Sequence, residues 1–170
     1  MTEINIFSEN IYNAWNVDES FLINKAREIL KFYLGEKEIF NRSCLKDCEF
    51  SSISFDILYC DSKKTHEINK EYRKKDYPAD IITFAIFADT EPEARFIFDG
   101  EVNLGEFIIA LDKVKEEAVK KEVSEVYELL FLISHGILHL LGFDHQTDTD
   151  YNFVVDKQNK ALEAVGYDKI

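Results

Sequence analysis

Three of the four histidines in the chain fall within one eleven-residue window, His135-Gly136-Ile137-Leu138-His139-Leu140-Leu141-Gly142-Phe143-Asp144-His145. His135 and His139 are four residues apart, so on an α-helix they stand one turn above the other on one face and aim at a common point. Gly142, free to take a positive φ, can end that helix and turn the chain so that His145 folds back as a third ligand. Three neutral imidazoles suit a borderline-soft divalent ion, and catalytic Zn²⁺ typically takes three protein ligands and keeps a fourth position open. The spacing therefore predicts one zinc ion per chain at a hydrolytic centre, held by His135, His139 and His145. A histidine pair at helical spacing can also be an ordinary core or surface pair. The third histidine just past a glycine stop weighs against that, and so does the near-absence of histidine elsewhere, where only His66 remains.

The residue after the first histidine narrows the chemistry. In H-E-x-x-H metallopeptidases that position holds a glutamate acting as general base, whereas here it holds Gly136. A peptidase of that type has no base in this chain. Glycine inside a helix costs about 1 kcal/mol relative to alanine, so its presence predicts either a close approach to the backbone, by a packed element or a substrate, or simple tolerance of glycine in a well-packed helix.

The run from His135 to His145 resembles the H-G-x-L-H-L-x-G-[YF]-D-H signature of the YbeY family, bacterial single-strand-specific endoribonucleases that act in ribosomal RNA maturation. Residues 68–84, which include Arg73, Asp76, Pro78, Asp80 and Phe84, resemble that family's L-N-x-x-Y-R-x-x-D-x-P-T-D-V-L-S-F block, and Leu104-Gly105-Glu106 resembles its L-G-D element. Ala79, Thr83 and Glu106 depart from the usual threonine, serine and aspartate, and none of the three is a predicted metal ligand. The resemblance implies a zincin-like α+β domain with the zinc-binding helix at its centre. It also implies an endoribonuclease working on single-stranded RNA and ribosomal particles, with a role in 3′-end maturation of small-subunit ribosomal RNA. Arg73 coincides with the arginine that the family places at its catalytic cleft.

The elements that must position these residues follow from periodicity. Residues 3–7 read as a first strand, and residues 19–34 follow helical spacing up to Gly35. Asn41 to Glu49 reads as a polar connection, Ile53 to Tyr59 as an alternating strand, and Asp61 to Lys74 as a polar-faced helix that breaks before Pro78. Ile81–Phe87 and Leu104–Leu111 are apolar runs of strand length, with Phe96-Ile97-Phe98 as a short extra strand between them. Ser124 is the expected N-cap of the metal helix, whose buried stripe would be Val126, Leu129, Leu130, Ile133, Ile137 and Leu141. Residues 149–165 form a last helix with Phe153, Val154, Leu162 and Val165 inward. A small mixed β-sheet packed with helices, an α+β fold, is the layout expected for a single domain spanning residues 1–170.

Composition sets the remaining bounds. A chain of 170 residues with 46% apolar residues can bury one sizeable core. No apolar run has the length of a bilayer span, and the first residues carry neither a basic nor an apolar leader region, so a cytoplasmic protein without a membrane partner is expected. The odd cysteine count, Cys44, Cys48 and Cys60, predicts free thiols. The net charge of −13 opposes phosphate binding overall, because affinity for RNA comes from lysine and arginine displacing counterions. Lys70, Arg73, Lys74 and Lys75 form a compact basic group against that background. Lys113, Lys115, Lys120 and Lys121 form a second, largely cancelled by Glu116, Glu117 and Glu122 and read as a solvated helix face.

The expected chemistry is then zinc acting on a water or on a phosphoryl oxygen, with Arg73 stabilising charge on the phosphorane-like transition state. The nucleophile, a water or the substrate's own 2′-hydroxyl, is left open. Asp144 is a candidate to orient a ligand histidine, or a plain turn residue. Glu128 is a weaker candidate expected to face solvent, and His66 an ordinary surface residue. Two other readings remain: a non-catalytic zinc-containing ribosome-assembly or RNA-binding factor, and a metal-dependent hydrolase of another bond.

Overall fold

A computed structural model describes residues 2–167, and in it the alternating stretches of sequence become a four-stranded sheet. β1 (Glu3–Asn10) pairs in parallel with β2 (Ser52–Cys60), β2 pairs in parallel with β4 (Glu101–Ala110), and β3 (Ile81–Phe84) closes the far edge antiparallel to β4. The sheet is mixed, as expected. The first strand runs three residues past its expected end, because its register with β2 continues to Asn10↔Tyr59.

β3 is shorter than the apolar run Ile81–Phe87 predicts. Gly105 sits at φ +123 where β2 and β4 slip register, and a Cβ there would overlap the Phe84 carbonyl oxygen. That close approach ends the ladder at Phe84, and Ile86–Asp89 coil into a short helix, α4, that buries Phe87. Phe96–Phe98 forms no strand either. Phe98 makes one isolated bridge to Glu101, and both phenylalanines are exposed.

α1 (Glu19–Gly35) starts at Asp18, whose side chain accepts from the Phe21 N–H, and buries Leu22, Ala26, Ile29, Leu30 and Tyr33. α2 (Lys37–Arg42) follows directly, and the stretch after it is less polar in role than its sequence: Leu45 is fully buried, Cys44 is buried, and the Cys44 N–H donates to Leu141 O at 2.9 Å. α3 (Ser62–Tyr72) and α5 (Leu111–Lys121) flank the sheet's far strands. Cys44, Cys48 and Cys60 form no disulfide.

α6 (Glu125–Leu140) is the central helix, capped by Ser124 accepting from the Tyr127 N–H at 3.0 Å. Leu129, Leu130, Ile133, Ile137 and Leu141 are buried as expected; Val126, in the first turn and outside the core, is not. Gly136 has the physical reason that its sequence position demands. A Cβ there would lie 2.8 Å from the Phe107 ring, so the absence of a side chain lets α6 settle onto β4. Tyr33 ties α1 to the same helix by donating its hydroxyl to Ser134 O at 3.2 Å. α7 (Asp148–Ala164) closes the core with Val154 and Leu162 buried, and Val165 buried just past its end. Among the described residues no single helix is long and apolar enough to cross a membrane.

Candidate metal centre

The last two turns of α6 carry His135 and His139 with ring centroids 4.4 Å apart. The helix stops at Gly142, φ +105, where the Gly142 N–H donates to His139 O and the Phe143 N–H donates to Leu138 O, both at 3.0 Å. This pair of backward bonds is the glycine-dependent Schellman ending, and it reverses the chain within two residues. Phe143 is buried and stacks on Phe153 of α7 at 5.5 Å between centroids, which anchors the reversed segment. His145 then lies 5.3 Å from each of the other two rings, and one ligand atom from each histidine lies within 4.8 Å of the others. The three residues named from the sequence are brought together.

The electrostatics favour neutral imidazoles. Burial, reinforced by the charges of His135, His145 and Arg73, pushes His139 down to about 3. Burial also lowers His135, against the opposing pull of its hydrogen bond to Gln158 and of the nearby Asp80 carboxylate. Rings held neutral keep a lone pair for a cation, and a set of three nitrogens this close fits a tetrahedral divalent ion with one position open.

Arg73 is the C-cap of α3, exposed, and near enough for its charge to depress His139. The buried Asn69 ties down the turn that follows it. Asn69 accepts from Arg73 Nη1 at 3.4 Å and donates to Tyr77 O at 2.9 Å, while its backbone carbonyl accepts from the N–H groups of Arg73 and Lys75. Lys70, Lys74 and Lys75 are all exposed beside it, as are Tyr72 and Tyr77. The second basic group behaves as a solvated face: Lys113 pairs with Glu116, and Lys121 turns away to Glu128.

Two of the secondary candidates change role. Glu128 does not face solvent; it is 1% exposed, and Lys121 Nζ donates to its two carboxylate oxygens at 2.7 and 3.0 Å. Burial raises its carboxyl while Lys121 opposes that, so the pair clamps α5 to α6 rather than orienting a histidine. Asp144 makes no hydrogen bond to a ligand histidine among the described residues and lines a separate recess with Arg42 and Phe153. His66 stays outside the cluster, with Nε2 2.8 Å from Asp76 Oδ1. Glu106 lies one residue from Phe107, which packs against α6, so its side chain points to the opposite face of the sheet; there burial and Asp56 raise its carboxyl.

The residue that sequence reading missed is Gln158. It is 1% exposed on α7, with Oε1 3.1 Å from His135 Nδ1. The available signal was periodicity: Gln158 falls four residues after Val154 and four before Leu162, a polar side chain on an inward stripe. A cleft of about 460 Å³ opens beside the histidines, walled by Asp80, Glu128, His135, His145, Tyr151 and Gln158.

Comparison with known proteins supplies the family. A family model described as Endoribonuclease YbeY matches residues 8–166. The Endoribonuclease YbeY of Bacillus pumilus is 38% identical over 150 residues, 85% of this chain and 93% of that protein. That of Bacillus licheniformis is 42% identical over 111 residues, 65% of this chain and 70% of that protein. The solution structure of a Thermotoga maritima protein superposes with a TM-score of 0.54 at 26% identity, covering 95% of this chain and 88% of that one.

Proposed function

The chain belongs to the YbeY endoribonuclease family, and from that premise we propose that it is a zinc-dependent, single-strand-specific endoribonuclease. Its place would be the cytoplasm, in ribosomal RNA processing and ribosome biogenesis, with 3′-end maturation of small-subunit RNA as the step and ribosomal particles as the setting. One domain carries the whole activity. The observation that supports this reading best is the meeting of two unlike groups at His139: a cluster of three histidines able to hold a cation, and an exposed arginine close enough for its charge to act on that ring.

His135, His139 and His145 would hold the ion. Zinc bound there supplies Lewis acidity toward a phosphoryl oxygen or a water. Arg73, exposed and free of any carboxylate partner among the described residues, presents its planar fork to the phosphoryl group and offsets the charge that grows on it. Lys70, Lys74 and Lys75 contact neighbouring phosphates, and Tyr72 and Tyr77 offer exposed rings on which unpaired bases can stack. Stacking needs bases released from a duplex, which is the physical basis for choosing single strands. With a net charge of −13, the rest of the surface repels the polyanion and confines it to this segment.

The other reading, a non-catalytic zinc-containing assembly factor, draws on that same negative charge. His145, however, is exposed on a turn and outside the packed core. An ion held partly from such a turn is not what closes the core.

The test is incubation of the zinc-loaded and chelator-treated protein with single-stranded RNA, duplex RNA and casein in parallel. Cleavage of single-stranded RNA alone, lost with chelator and restored by zinc, is expected. Fully zinc-loaded protein that leaves single-stranded RNA intact, and that unfolds on chelation, would establish the assembly-factor reading instead. A substrate with one 2′-deoxy residue at the cut site separates the two nucleophiles, since only attack by water survives the substitution.

A further inference from the structure

Gln158 reaches α6 from α7 and touches two successive turns of it. Its Nε2 lies 3.2 Å from Phe131 O and its Oε1 lies 3.1 Å from His135 Nδ1. The side chain is 1% exposed, so both ends of the amide must find partners inside the protein. The two partners are not interchangeable. A backbone carbonyl only accepts, so the NH₂ end must face Phe131, and the carbonyl end is thereby turned to the imidazole. That carbonyl also only accepts, so the hydrogen in the second contact belongs to His135 Nδ1. A neutral imidazole has one N–H, and once Nδ1 carries it the lone pair is at Nε2.

We propose that Gln158 is a positioning residue that fixes the Nδ1–H tautomer of His135 and thereby presents Nε2 as its metal-binding atom. The inference rests on the metal reading of the three-histidine site. It assigns a duty to α7 that neither the histidine motif nor the family match specifies. Gln158 fixes the ring's rotation as well as its tautomer, because the amide is itself pinned at its other end. Among the described residues neither His139 nor His145 has a side-chain hydrogen-bond partner, so His135 is the one ligand with a dictated orientation. The other two are left to follow the ion. The arrangement also links the reversed segment after Gly142 to the site twice. That segment delivers His145 directly, and it leads into the helix that delivers Gln158.

Loss of the hydrogen bond that orients a metal-bound histidine typically lowers metal affinity about 10–100-fold. The Phe131 carbonyl would not be orphaned by such a loss, because Ser134 Oγ donates to it at 2.6 Å. A Gln158→Leu protein therefore keeps its core volume and leaves no buried acceptor unpaired at Phe131.

The first measurement is the nitrogen spectrum of the histidine rings in metal-free wild-type protein near neutral pH. His135 should show a protonated Nδ1 and an unprotonated Nε2, opposite to the preference of free histidine. A His135 ring protonated at Nε2 would overturn the proposal without any variant being made. In Gln158→Leu the Nδ1–H preference should disappear and zinc affinity, read by competition with a chromogenic chelator, should fall about 10–100-fold. Gln158→Glu, which keeps an acceptor for Nδ1–H but loses the donor to Phe131 O, should restore the tautomer and part of the affinity. Wild-type affinity in Gln158→Leu would overturn the proposal, as would a lower melting temperature with an unchanged tautomer, the mark of a purely packing role. If Gln158→Leu does not fold, the wild-type spectrum and the Gln158→Glu affinity decide. A wild-type chain that binds no zinc would remove the metal reading, while the metal-free spectrum would still decide whether Gln158 sets the ring.

Discussion

The histidine cluster and the Arg73 segment meet at His139 but are built in opposite ways. The cluster stands on the most buried helix of the protein, fixed by a glycine-dependent reversal, a stacked phenylalanine pair and the Gln158 amide. The Arg73 segment is a run of exposed residues after a short helix, tied down chiefly through Asn69. A cation needs ligand atoms at set distances, and only a packed scaffold holds side chains to that tolerance. A polyanionic strand varies in path and sequence, and groups that grip it gain from freedom to adjust. On the proposed function, the difference separates what each region would lose: the first the ion, the second the reaction or the grip on its substrate.

The largest break in this comparison should come from His139→Ala. Two imidazoles under-coordinate zinc, so the variant should lose most of the roughly one ion per chain expected of the wild type. Elemental analysis showing full occupancy would mean the cluster is not the site. Acid should produce the same loss reversibly. His139 in the folded chain takes up a proton only near pH 3, against 6.5 for an ordinary histidine. Between those values the unfolded chain binds the extra proton, so the metal-free protein should lose stability as the pH falls from about 6.5 toward 3. Zinc should dissociate toward the lower end of that window, as protons begin to compete for the rings and the chain loses stability. Arg73 stays charged throughout. Metal retention and unfolding curves from pH 7 to 4 check this, and flat stability across the window would show that His139 is not held neutral by burial.

Arg73→Ala should act in the other region alone. Zinc content and melting temperature should stay near wild type, because Arg73 is exposed and among the described residues its side chain makes a single hydrogen bond, at 3.4 Å. Cleavage of single-stranded RNA at saturating substrate should fall by about 10²–10³, the usual cost of losing one well-placed donor at a developing charge. An unchanged rate at saturation would reduce Arg73 to a surface charge.

The two regions also differed in how far the sequence disclosed them. The histidines were legible because a four-residue helical spacing followed by a glycine is a local geometric statement, and Gly142 at φ +105 carries it out. The strands of the sheet were legible wherever alternation was unbroken. What escaped depended on partners distant in sequence. Glu128 reads as a solvent-facing carboxylate until α5 returns Lys121 to it, and the Asn41–Glu49 stretch reads as polar until Leu45 and Cys44 meet the end of α6. The β3 run looked seven residues long because nothing local to it reveals Gly105 closing on Phe84. Gln158 escaped for the same reason: its role exists only once α7 has docked on α6.

Gly136→Ala tests the packed scaffold itself, with a smaller effect. Its new Cβ would lie 2.8 Å from the Phe107 ring, which is fully buried and stacked on Phe55 at 5.7 Å, so the ring cannot move aside freely. Overpacking of this kind typically costs about 1–3 kcal/mol, opposed by about 1 kcal/mol from the better helix propensity of alanine. A net loss of about 1 kcal/mol should lower the melting temperature by about 2–4 °C in a chain of this length. A melting temperature at or above wild type would mean that α6 does not depend on that contact.

The smallest effect should come from Lys75→Ala, and it separates gripping from reacting within the exposed segment. Lys75 is exposed, makes no ion pair among the described residues, and has its Nζ 6.0 Å from the Tyr77 ring centroid. Its backbone N–H, which donates to Asn69 O, survives the substitution, so the segment should keep its path beside Arg73. What disappears is one charge able to displace a counterion from RNA. The rate at saturating substrate should therefore stay near wild type while the RNA concentration needed for half-saturation rises. The slope of log affinity against log salt should shrink by about 0.7, the increment for one phosphate contact on a single strand. Arg73→Ala loses rate at saturation and Lys75→Ala does not, so the pair distinguishes a group placed at the reacting phosphate from one that follows the strand. If both variants lost only affinity, the exposed segment would be a binding surface throughout, and the catalytic role proposed for Arg73 would fall with it.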